Sequence, residues 1–137
     1  MFDPPEYVEW KPAPDVMDEF HATIQKDPAR SKIIADLNEA QLLELYEGML
    51  RFRLHDITLS RWVRQGVISK AWLGTGEEAV TVGNVHALDR KTDIVGPMIR
   101  NAGACHEMGI PVADMLREYL ATEDSPSKGK CLHVGGV

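Results

Sequence analysis

From Leu42 onward, apolar side chains return every three or four residues: Leu42, Tyr46, Met49, Leu50, Leu54 and Ile57. That spacing places them along one face of a helix. Asn38 supplies an N-cap, and Gln41, three residues on, completes a capping box. Arg61 and Arg64 stand in the last turn, where cations suit the negative end of the helix dipole. Gly66 follows as the residue on which the chain leaves the helix. The pattern predicts a helix from about Glu39 to Gln65, about 40 Å long at the usual rise per residue. Arg51, Arg53, Arg61 and Arg64 are spaced like its wet side and read as a solvated face.

Elsewhere the pattern is shorter. A helix is predicted from about Val16 to Gln25, and "KDPARSK" breaks it at Pro28. Thr75 and Glu78 form a second capping box ahead of an apolar run. Glu78 would reach back to the N-cap amide, and Glu77 also suits the positive helix end. Gly83 inside this helix costs about 1 kcal/mol relative to alanine, which predicts close packing against another backbone. "DIVGPMI" reads as a buried strand interrupted at Gly96-Pro97 and ended by Arg100. "NAGACHEMG" leads into a short helical piece. Pro111 opens a further helix at its first position, running through Met115, Leu116 and Leu120. The final "TEDSPSKGKCLHVGGV" is loop-like, and there is no internal repeat. Residues 1 to about 15 hold four of the eight prolines and read as an extended arm. Its Phe2, Tyr7, Val8 and Trp10 suit packing on another surface as well as a free terminus. The organisation expected is an arm and short helix over 1–37, then one region over 38–137.

Composition narrows the function classes. The 137 residues are 44% hydrophobic and 26% charged, which is globular in character. A net charge of −6 argues against nucleic acid, because neutralising phosphate needs a clustered excess of Lys and Arg. No apolar run approaches the roughly 20 residues that span a bilayer, and the N-terminus resembles no signal or transit peptide. Cys105 and Cys131 make no disulfide framework, so a cytoplasmic setting is expected. Cys105 and His106 are adjacent but lack the two further ligands of a zinc site. His55, His86 and His106 fall on helical patterns and read as structural.

The order of motifs resembles the α subunit of the E1 component of thiamine-diphosphate-dependent 2-oxo acid dehydrogenases, the branched-chain type above all. The stretches that carry the likeness are "LYEGMLRFRLHDITLSRWVRQGVIS", "GEEAVTVGNVHALDRKTDIVG", "IRNAG" and "GKCLHV", within Leu42 to Gly136. The resemblance implies an α/β fold: the N-terminal, mostly helical part of a thiamine-diphosphate-binding fold, with one or two strands of an incomplete parallel sheet.

It also implies roles for particular residues. Arg100 matches the arginine that meets the cofactor diphosphate, and a guanidinium suits phosphate oxygens by its own chemistry. A salt bridge to a local carboxylate is the alternative for that side chain. Ile99 stands where the family has a tyrosine, and isoleucine has no hydrogen bond to give. Glu77 matches the variable position of G-[QE]-E-A, near the cofactor in relatives. Lys70, Ala71 and Trp72 match the segment lining the substrate channel. His133 matches the histidine after the glycine-rich loop, a catalytic candidate.

The G-D-G…N motif that holds magnesium in the family does not occur here, so no metal ligand is assigned to this chain. The chain therefore reads as the N-terminal part of an E1 α subunit. The expected partners are the remainder of E1 α, E1 β in a heterotetramer, a lipoyl-bearing E2 and a 2-oxo acid. Nucleic acid and membrane are not among them. The implied reaction is oxidative decarboxylation with acyl transfer to lipoyl-E2, inactive in this chain without the rest of the assembly. The alternative is a non-catalytic helical interaction module.

Overall fold

The computed structural model describes residues 13–131. Six helices form there: α1 (Pro14–Gln25), α2 (Pro28–Asp36), α3 (Glu39–Arg64), α4 (Glu78–His86), α5 (Ala102–Glu107) and α6 (Val112–Leu120). No strand forms among the described residues. The mostly helical character holds, and the expected strand over "DIVGPMI" does not. Ile94 there is 85% exposed. A strand needs a neighbour to take its amides and carbonyls, and this segment pairs with none among the described residues. The chain divides into two compact units between Leu43 and Glu44.

In the first unit, α1 starts two residues ahead of the expected Val16. Pro28 does more than break it. Asp27 Oδ1 accepts the Ala29 and Arg30 amides at 3.0 and 3.2 Å, so Pro28 becomes the first residue of α2. A proline loses nothing there, because that amide has no helical partner. Ser31 Oγ donates to the Ile24 carbonyl at 2.9 Å and joins the two helices. Neither helix buries a residue. Phe2, Tyr7, Val8 and Trp10 of the expected arm lie outside the described residues.

The capping box of α3 forms as read: the Gln41 amide donates to Asn38 Oδ1 and the Asn38 amide to Gln41 Oε1, both at 3.0 Å. Gly66 takes a left-handed φ of 73°, and the Val67 amide reaches back to the Trp62 carbonyl at 2.9 Å. The inward face differs from the expected one. Leu42, Tyr46, Leu50 and Leu54 are exposed, and Gly48, Phe52, His55, Asp56 and Leu59 are buried. Small residues decide this. A Cβ on Gly48 would lie 2.5 Å from Glu107 Oε1 and 2.9 Å from Val82, and a Cβ on Gly103 would strike the Phe52 ring. Glycine at these two places lets α4 and α5 close onto α3. Gly83, expected in that role, has nothing within 4 Å of an added Cβ.

The second unit has two apolar clusters. Phe52, Ala102, Cys105 and Met115 form one, with Ile110 against it. Leu59, Ile68 and Tyr119 form the other, with Trp62, Val63, Ala71 and Leu116. Fully burying a side chain such as Phe52 contributes about 1.5–3 kcal/mol.

Candidate functional site

The turn that leads into α4 is built on glycine. Gly74 is buried, and a Cβ there would run into the Phe52 ring and the Arg100 carbonyl. Its own carbonyl accepts the Glu77 amide at 2.8 Å. Gly76 has a left-handed φ of 97°, which lets the chain turn directly into the helix.

The expected Thr75–Glu78 capping box does not form. Glu77 occupies the N-cap position, and no side chain caps there. Thr75 instead donates its hydroxyl to Asp56 Oδ2 at 3.0 Å. Glu78 accepts the Gly76 amide at 2.9 Å and Arg53 Nε at 2.5 Å. Burial alone would raise the Glu78 carboxyl, but Arg53 and the amide donors outweigh it and hold the group low. Arg53 is therefore committed to a buried carboxylate. Arg51 likewise pairs with Glu47 at 2.8 Å and Glu107 at 3.6 Å. Arg53 thus turns from the solvated face expected of it to a carboxylate of α4, whereas Arg51 stays partly exposed and ties exposed Glu47 of its own helix to buried Glu107.

Glu77 points the other way. Its Oε1 pairs with Arg100 Nε at 3.0 Å, and its Oε2 accepts Asn101 Nδ2 at 3.0 Å. Asn101 also reaches Thr81 Oγ1 at 3.3 Å. This polar group borders a cavity of about 400 Å³ walled by Val80, Val85, Val95, Pro97, Met98 and Ala104. An apolar wall with a paired guanidinium and carboxylate at its edge is the make-up of a small-molecule site. Ile99 is half-buried and does not line this cavity.

Lys70 and Ala71 line a different cavity of about 340 Å³, together with Ser60, Val63, Arg64, Ser69 and Leu73. Lys70 Nζ sits 5.0 Å from the centre of the exposed Trp72 ring. The structure thus joins Arg100 with Glu77 and keeps Lys70 and Ala71 apart from them. His133 lies outside the described residues.

His55 and His106 are buried, and His86 is half-buried. His55 Nδ1 and His106 Nε2 lie 3.2 Å apart in the interior. Burial, with the neighbouring His106, lowers His55 to about 3, and burial lowers His106 as well. His86 Nε2 lies 2.8 Å from Glu107 Oε2. Burial pushes the Cys105 thiol up to about 11. No group of three or more His, Cys, Asp or Glu able to hold a metal occurs among the described residues. No helix of the described residues is long and apolar enough to cross a membrane. Sequence reasoning missed Asp56, Thr81 and Asn101. Only Asp56 left a signal, as an acid amid an apolar helical run.

The described residues are helical and bear a cavity edged by Glu77, Arg100 and Asn101. The chain belongs to the family of the dehydrogenase E1 component, whose family model matches residues 46–135. It is 33% identical over 98 residues to 2-oxoisovalerate dehydrogenase subunit alpha of Pseudomonas aeruginosa. It is 30% identical over 93 residues to the protein of that name from Bacillus subtilis, and 26% over 95 to the mitochondrial one of Dictyostelium discoideum. These matches cover 72%, 68% and 69% of this chain, and 24%, 28% and 21% of the relatives. The chain thus spans about a quarter of the length of the curated relatives it matches. No solved structure matches it. The resemblance to branched-chain E1 α subunits, read from the motif order, is borne out.

Proposed function

We propose that this chain forms one wall of the cofactor site of a 2-oxo acid dehydrogenase E1, acting on a branched-chain 2-oxo acid such as 2-oxoisovalerate. The observation that carries the proposal is the cavity bordered by Glu77, Arg100 and Asn101, which lies within the segment matched to the E1 family.

The residues fit thiamine diphosphate in part. The terminal nitrogens of Arg100 are the ones its phosphates would take, since Glu77 engages Nε. Val80, Val85, Pro97 and Met98 offer an apolar wall for a ring. Ile99 adds no hydrogen bond, and no group of three or more His, Cys, Asp or Glu that could hold magnesium occurs among the described residues. When bound, the cofactor supplies the carbanion chemistry of decarboxylation. The chain's own part is to hold the anionic end, exclude water with the apolar wall and position the turn at Glu77. The remainder of E1 α, E1 β and a lipoyl-bearing E2 complete the assembly in this reading. The exposed Leu42, Tyr46, Leu50 and Leu54 supply apolar surface for such association.

The test is to isolate the complex that forms on the tagged chain and assay 2-oxoisovalerate oxidation with an artificial electron acceptor. Turnover should depend on added thiamine diphosphate and magnesium. Arg100→Ala should weaken cofactor binding roughly 10- to 100-fold, the range for losing a charged hydrogen-bonded pair. A complex that turns over no 2-oxo acid would overturn the reading and leave an interaction module, which Ile99 and the Glu77–Arg100 pair would then favour.

A further inference from the structure

Beneath the Gly74–Glu77 turn lies a carboxylate that the cavity does not use directly. Asp56 stands in the middle of α3 and is 1% exposed. Its Oδ2 accepts the Thr75 hydroxyl at 3.0 Å, and the Gly74 backbone amide favours its charged form. Its Oδ1 is buried with no hydrogen-bond partner among the described residues. Charged and titratable groups approach from every side: Arg53 on its own helix, Glu78 on α4 and Tyr119 on α6. Tyr119 in turn lies against the backbone of Trp72. A buried acid with a partly satisfied carboxylate is a costly choice for a helix interior. What it holds is a turn between α3 and the cavity, since Gly74 packs between the Phe52 ring and the Arg100 carbonyl.

We propose that Asp56 is a positioning residue for the cavity: by holding Thr75 it seats Gly74 on the Arg100 backbone, and so sets where Glu77 and Arg100 meet. Its tie to a cofactor rests on the function proposed above; its hold on the turn does not. Burial raises the Asp56 carboxyl to about 6, so its charge changes within an accessible pH range.

The experiment follows backbone amides of the whole 137-residue chain by NMR from pH 7.5 to 4.5. The Gly74, Thr75, Gly76 and Glu77 amides should move together with one midpoint near 6. Asp56→Asn should abolish that shared transition. Should that variant fail to fold, Thr75→Val decides. It removes only the hydroxyl and should raise the midpoint by roughly one pH unit, because a hydrogen bond to the charged form is lost. Thr75→Ser should restore it, which a pure packing role would not allow. Unchanged turn amides and an unchanged midpoint in Thr75→Val would overturn the proposal. In the assembled complex, Thr75→Val should weaken thiamine diphosphate binding severalfold, with Thr75→Ser near the parent. If the parent complex binds no thiamine diphosphate, the functional reading falls and the amide result still judges Asp56.

Discussion

Along α3, Leu42, Tyr46, Leu50 and Leu54 lie 44–62% exposed, whereas Phe52, His55, Asp56 and Leu59 lie at 2% or less. The two faces run side by side for much of the same helix. By hydropathy alone the exposed one should be inside. The inner face wins because Gly48 stands on it and Gly103 faces it, and their missing side chains let Glu107, Val82 and Phe52 come close. Packing density, not the count of leucines, decides which side is core. The cost is a polar interior, with His55 and Asp56 each leaving a buried atom without a hydrogen-bond partner among the described residues. The leucine face is left as apolar surface in the chain alone.

Substitution on each face sharpens the contrast. Phe52→Ala should cost about 3–5 kcal/mol, read as a lowered urea midpoint, because it removes the ring that fills the Gly74 and Gly103 seats. A loss near zero would mean that the inner face is not the core.

A smaller effect comes from acid. His55 is held neutral in the fold down to about 3, against an ordinary value of 6.5. Below pH 6.5 the unfolded chain takes a proton that the native chain refuses. His55 therefore withdraws stability as pH falls, at up to about 1.4 kcal/mol per pH unit. Asp56 acts in the opposite sense, since its folded value near 6 exceeds the ordinary 3.8 and the native chain holds the extra proton between them. Comparing the parent with His55→Gln isolates the histidine. The parent's advantage should shrink from pH 6.5 to 4.5, and a pH-independent difference would contradict the buried neutral imidazole.

The smallest effect belongs to the outer face. Leu50→Ala should change the stability of the chain alone by no more than about 0.5 kcal/mol. In the assembled complex the same change should weaken association. Equal, large losses at Leu50 and Phe52 in the isolated chain would erase the distinction between the faces.

Much of the helical frame was legible from residues alone. Asn38 and Gln41 meet across three positions, and Gly66 leaves the helix where its backbone freedom is needed. The resemblance carried by the motif order also held. The strand expected at Ile94 failed because a strand is a property of a pair, and its periodicity names no partner. Thr75 was misread because Asp56, the acceptor it prefers, lies 19 positions away. Of the candidate site, Glu77 and Arg100 were named separately, but their pairing across 23 positions was not visible.

The division follows the range of the interactions. Caps, turns and helix ends close within a few residues, so local sequence determined the bounds of α3 and the exit at Gly66. The order of its motifs determined the family. Which face of α3 became core, where Thr75 gave its hydroxyl and how Arg100 came to Glu77 were decided only in three dimensions. Each depends on a glycine admitting a distant group, and that depends on shape that no spacing along the chain records.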